Sequence, residues 1–173
     1  MIDEKEQYLR TEFWILSVGA AFQRANVYQH ATDRQKSQFR KELFEYLNEL
    51  SDQYRNGSII EDDHIDYIDK VRNKAKSIAD QHGIELTDNK FRFGIAQKLL
   101  NLYLKYLWCA GFIQEPPHFP VDRIIIQSLK IVPFTNWTEL DSKKEYLHII
   151  SAAKQEANGQ NLAQWELETY KRR

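Results

Sequence analysis

The sequence predicts an all-α fold, a single domain over residues 1 to 173 built from six or seven helices, and three observations carry that expectation. The chain has 173 residues, the length of one domain, and its 42% hydrophobic and 28% charged residues are the composition of a folded protein able to bury a sizeable core. Only 6 Gly and 4 Pro occur, too few to punctuate the many turns of a β-sandwich or barrel. Apolar residues recur at helical spacing through most of the chain.

Taken in order, residues 4 to 30 carry Tyr8, Leu9, Phe13, Trp14, Leu16, Ala20, Ala21, Val27 and Tyr28 at mostly helical spacing, broken by Gly19, and read as one helix or two. Asp33 is expected to cap the next helix, whose stripe Phe39, Leu43, Phe44, Tyr46, Leu47 and Leu50 ends at the turn Arg55-Asn56-Gly57-Ser58. Asp62 or Asp63 opens a third, with Ile65, Ile68, Val71, Ala75, Ile78 and Ala79 inward and a stop at Gly83. Residues 84 to 93 read as a loop or short turn. A fourth helix, from about Gly94 to Trp108, is nearly all apolar and should lie at the centre of the core. Residues 109 to 120 hold Pro116, Pro117 and Pro120 and form a connection, after which 121 to 132 read as a helix. Asp141 or Ser142 caps a helix through Ala157, Asn158 and Gly159 stop it, and Asn161 starts a last helix through Tyr170.

The lone Cys109 excludes an internal disulfide and a thiolate zinc cluster, and its apolar neighbours predict a buried core thiol. The start MIDEKEQYLR is charged where a signal peptide is apolar, and no apolar run approaches the roughly 20 residues of a membrane span. A soluble cytoplasmic protein without a membrane partner is the expectation, with no cofactor and no metal. The formal net charge of −1 argues against nonspecific coating of nucleic acid. Charge is uneven, however: residues 1 to 87 hold 12 Lys and Arg against 16 Asp and Glu, whereas residues 88 to 131 hold 6 against 3.

That basic stretch is also the most patterned. On the fourth helix Gln97, Lys98, Asn101 and Lys105 fall within roughly a 100° arc, with leucines over the rest. The plain reading makes this stripe the solvent edge of a core helix. The other reading looks to its flanks. Gly94 stands where a helix begins, so the backbone N–H groups of Gly94, Ile95, Ala96 and Gln97 could meet a phosphate. Asp122 follows Pro120 and Val121 near another helix start.

These segments, FGIAQK from Phe93 to Lys98, the helix LLNLYLKYLW after it, and PVDRIII from Pro120 to Ile126, resemble the helix-hairpin-helix DNA glycosylase superfamily, and most of all its small 8-oxoguanine DNA glycosylases. Residues 93 to 126 carry the resemblance, with a looser match over 146 to 172. The sequence departs from the pattern at Ala96, in place of the second hairpin glycine, at Ile124, where a His is common, and in a long link from Gly83 to Phe93. The resemblance implies that Lys98 is the catalytic amine, Asp122 the catalytic carboxylate, and the amides around Gly94 to Gln97 a phosphate seat on duplex DNA carrying a damaged or modified base. Lys90, Arg92, Lys105 and Arg123 are the expected cationic contacts. Phe91, Phe93, His118 and Trp165 are candidates for the base pocket or for the wedge that replaces an extruded base, with burial in the core as the plain alternative.

The chemistry matches the residue types. Breaking an N-glycosidic bond develops positive charge on the sugar, which a buried carboxylate stabilises. A desolvated amine can attack the sugar carbon and form a Schiff base, after which strand cleavage can follow. Two other patterns stand beside this one. Arg24 and His30 fit the permissive Arg-x(4 to 6)-His spacing of HEPN ribonucleases, and the acidic run from Glu61 to Asp69 with His64 offers oxygen and imidazole ligands, although acids in a first helical turn also complement the helix dipole. A non-enzymatic helical interaction module is the third class.

Overall fold

A computed structural model of the protein describes residues 3–170, and its fold is all-α, a single domain with one small two-stranded sheet. Helix α1 spans Glu4–Phe22, capped by the Asp3 carboxylate on the Glu6 amide at 2.7 Å. It stops there and does not continue to residue 30: Asn26 takes a positive φ, and Tyr28–His30 form strand β1, antiparallel to β2 at Glu85–Leu86. The link read as loop thus holds a strand and a 3-10 turn at Thr87–Asn89.

Helix α2, Asp33–Ser51, is capped by Thr32 in a reciprocal box with Gln35, one residue before the expected Asp33. Helix α3, Glu61–Gln81, has no side-chain cap at all, so neither Asp62 nor Asp63 caps it. Glu61, Asp62 and Asp63 crowd its first turn, where their charge opposes the positive helix end. Gly83 ends the reversal that follows at φ +62, a conformation that Gly adopts at least cost.

Helix α4, Phe93–Cys109, is the central rod and packs on α1 and α3. The predicted helix over 121 to 132 shortens to α5, Arg123–Ser128, because Lys130 takes a positive φ and the chain then runs irregularly to a 3-10 turn at Trp137–Glu139. Helix α6, Lys143–Ala157, begins at a Ser142–Glu145 capping box and ends on the left-handed Asn158, and α7, Leu162–Thr169, lies beside it. No helix among the described residues is long and apolar enough to cross a membrane.

Aromatic residues explain how the ends of the rod are fixed. Phe91 packs its ring 5.9 Å from Phe22 and 6.3 Å from Phe39, closing the cluster that covers the strand pair. Phe13 stacks on Tyr106 at 5.3 Å and joins α1 to α4. The buried Arg10 ties α1 to α2 through Asn48 at 2.7 Å and Ser51 at 2.9 Å.

Candidate active site

The polar stripe of α4 is not a solvent edge. Gln97 and Asn101 are fully buried beneath the irregular segment 118–122. That segment has no helix or strand to pair its backbone, and buried N–H and C=O groups need partners. Gln97 supplies two: Nε2 donates to the Val121 carbonyl at 2.9 Å and Oε1 accepts from the Val121 amide at 3.0 Å. Asn101 Nδ2 reaches the Phe119 carbonyl at 3.0 Å and the Tyr146 hydroxyl of α6 at 3.1 Å.

The same network continues to the surface. The Tyr146 hydroxyl donates to His118 Nδ1 at 2.9 Å, so the proton of the neutral imidazole sits on Nε2 and is shared with Glu61 Oε1 at 2.7 Å. Burial pushes His118 below its ordinary pKa against the pull of Glu61. Glu61 in turn is held down at about 2, first by its hydrogen bond from His118 and then by Lys154 at 2.7 Å. His64 stands edge-on to His118 at 4.8 Å between ring centroids and accepts from the Tyr54 hydroxyl at 2.8 Å; burial pushes its pKa well down. His64 Nε2 and Asn101 Oδ1, a donor and an acceptor, are both buried without a partner among the described residues.

This scaffold delivers Asp122. Its carboxylate caps α5, with Oδ1 accepting from the Ile125 amide at 3.1 Å, and Oδ2 faces Lys98 Nζ at 3.3 Å. The Lys98 side chain is nearly buried while Asp122 remains partly open to solvent. Burial lowers the lysine pKa, and the nearby Asp122 charge and hydrogen bond oppose that fall. The ring of Trp137 lies 5.9 Å from the ammonium and covers it from another side. Two turns along α4, Lys105 bonds to Glu166 Oε2 of α7 at 2.5 Å; burial raises the Glu166 carboxyl, with Lys105 pulling against it.

The structure thus brings Lys98 and Asp122 together and sets several other expected residues apart from any ligand. The start of α4 is occupied by the chain itself. The Gly94 amide donates to the Leu140 carbonyl at 2.8 Å, and a Cβ at Gly94 would stand 1.7 Å from the Trp137 carbonyl oxygen. The Ile95 and Ala96 amides both turn to the Arg92 carbonyl at 3.1 Å, and Gln97 lies inside the helix and is fully buried. No phosphate seat exists at Gly94, Ile95, Ala96 and Gln97. Lys90 is paired with Asp141, Arg92 with Asp88, and Lys105 with Glu166, so these three contribute no free positive charge, whereas Arg123 is exposed. Phe91, Phe93, His118 and Trp165 are all buried: Phe93 packs on Tyr146 at 5.3 Å and Trp165 on Phe119 at 5.6 Å, which makes them core and not pocket or wedge.

Cys109 is exposed and not a core thiol, because α4 ends there and its last turn leaves the core. Arg24 and His30 lie exposed on a turn and on β1, not along one helix. Glu61 is committed to His118 and Lys154, and Asp66 and Asp69 to Lys143; among the described residues no group of three or more potential ligands could hold a metal ion. Sequence reasoning missed Tyr146, Glu61, Glu166 and Trp137 as neighbours of the site. The available signal was two amides, Gln97 and Asn101, four residues apart on an otherwise apolar helix. No known protein family, curated protein or solved structure matches the chain.

Proposed function

We propose that the protein is a DNA glycosylase that excises a damaged or modified base, with Lys98 as the attacking amine and Asp122 as the carboxylate that stabilises the developing charge. The observation that carries this reading is the 3.3 Å approach of Lys98 Nζ to Asp122 Oδ2 across 24 residues of sequence, in a site where the amine is desolvated and the carboxylate is fixed at a helix start. Burial favours the neutral amine that nucleophilic attack requires, and Asp122 is placed to accept the proton that attack releases. The lone pair of Lys98 Nζ forms the new bond to the sugar C1′ as the glycosidic C–N bond breaks, and the base departs with that electron pair and takes up a proton. Opening of the sugar ring then yields an imine between Lys98 and C1′. Loss of a C2′ proton would expel the 3′ phosphate and cut the strand. A cytoplasmic location accords with the free thiol of Cys109 and with a DNA substrate.

The test is borohydride trapping on a duplex with an abasic site. Wild-type protein is expected to form a covalent adduct and Lys98→Gln to form none, with an unchanged circular dichroism spectrum. Undiminished trapping by Lys98→Gln would overturn the assignment.

A further inference from the structure

Once Lys90, Arg92 and Lys105 are removed from the list of available cations, positive charge remains elsewhere around the site. Arg123 at the start of α5, Lys130 just after its end and Lys144 at the start of α6 are exposed, and none of them pairs with a carboxylate among the described residues. Of the acids nearby, Asp141 is taken by Lys90, while Glu139 is exposed and Glu145, which bonds the Ser142 cap, keeps its charge beside Lys144.

Between these cations the chain from Lys130 to Thr135 alternates. Ile131, Pro133 and Thr135 line a groove of about 410 Å³ whose far wall includes Lys144 and His148 of α6. Val132 and Phe134 do not line it and are 85% and 46% exposed, with Ile124 of α5 exposed at 66%. Large apolar side chains held out in water among unpaired cations suit a partner that is anionic along its length and apolar between its charges. The chain from this segment leads within three residues of Phe134 to Trp137, which covers Lys98, and Arg123 adjoins Asp122.

Resting on the glycosylase reading, we infer that Arg123, Lys130 and Lys144 grip the phosphates of duplex DNA and that Val132 and Phe134 enter the base stack at the position vacated by the extruded nucleotide. Their apolar surface replaces the stacking lost when the base leaves. Three phosphate contacts give a salt dependence of log affinity on log salt of about −2.7.

The experiment measures binding by fluorescence anisotropy to a duplex with an uncleavable tetrahydrofuran abasic analogue flanked by 2-aminopurine. Arg123→Glu with Lys130→Glu and Lys144→Glu is expected to weaken binding by about tenfold or more at low salt, and the same number of reversals at Lys5, Arg34 and Lys41 to leave it within twofold or so. Val132→Ser with Phe134→Ser is expected to abolish the rise in 2-aminopurine fluorescence that wild type produces. Equal loss from the two triple reversals, an unaltered fluorescence rise in the double variant, or equally tight and equally sensitive binding of single-stranded RNA or anionic vesicles would each overturn the inference. Neither Lys98 nor Asp122 is needed for this binding. Rim-dependent binding without base release or trapping would therefore sink the glycosylase reading alone, and base release unaffected by the rim reversals would sink this inference alone.

Discussion

Gln97 holds Val121 with both ends of its amide, donating to the carbonyl and accepting from the N–H as a neighbouring strand would. One side chain of α4 therefore sets the position of the residue before Asp122. Gln97→Leu keeps the volume but leaves both backbone groups buried and unpaired, at a cost of about 1–3 kcal/mol. Urea denaturation is expected to show that loss, and base release at a temperature where the variant is fully folded is expected to fall as well. Wild-type activity in a folded Gln97→Leu protein would show that Val121 is held by other means.

Asp122 has a structural duty and a proposed chemical one, and two substitutions separate them. Asparagine caps helices about as well as aspartate, so Asp122→Asn keeps the cap, loses only the ion pair with the buried Lys98, and should abolish base release. Asp122→Ala should lose the activity and also about 1 kcal/mol of stability with the cap. Base release by Asp122→Asn within a few-fold of wild type would remove the carboxylate from the mechanism.

Two glycines in helices make opposite predictions. Alanine at Gly94 drives its Cβ into the Trp137 carbonyl, so the turn over Lys98 must move; a cost of about 3 kcal/mol is expected, at the upper end of overpacking. Gly19 in α1 has nothing within 4 Å of the added methyl, and Gly19→Ala is expected to stabilise by about 0.5–1 kcal/mol. Equilibrium unfolding of the two variants checks both signs.

Stability should fall as pH drops below neutrality. His64 and His118 are buried neutral, with pKa values pushed below the ordinary 6.5. The unfolded chain therefore takes up protons near that value while the folded state does not, and each histidine costs up to about 1.4 kcal/mol per pH unit until its folded pKa is reached. Glu61 acts in a lower window: its folded pKa of about 2 lies under the ordinary 4.5, so its contribution is complete above 4.5 and is lost as pH falls through 2. Urea titrations from pH 8 to 5 are expected to show stability falling toward the acid end, with a slope of at most about two protons. A flat profile would mean that the histidines are charged in the folded state.

The helices were legible because their apolar periodicity survives in the structure: Ile65, Ile68, Val71, Ala75, Ile78 and Ala79 all face inward on α3. Strand β1 was hidden because Val27 and Tyr28 fall in register with the helix before them, and three residues of strand leave no period of their own. Lys98 and Asp122 were singled out together by the resemblance of their local segments, and the structure brings the two side chains to 3.3 Å, with Asp122 capping α5. The use of Gln97 and Asn101 was not legible, because periodicity shows which residues share a face and not what covers it. The basic excess of residues 88 to 131 misled for a related reason: the carboxylates that neutralise Lys90 and Lys105, Asp141 and Glu166, lie beyond that stretch in sequence.

Lys98 and Asp122 stand beside the buried amide and histidine network without holding it up: the bonds among Gln97, Asn101, His118, Tyr146 and Glu61 use neither side chain. A library of variants sorted only for soluble expression would then keep positions 97, 101, 118 and 146 narrow, admit Met or Gln at 98, and admit Asn, Ser or Thr at 122. On the glycosylase reading, the same library sorted for survival of a cell whose DNA carries the excised lesion would close at 98 and 122. The two selections would disagree at 98 and 122, where the fold asks less than it asks of the buried network beside them.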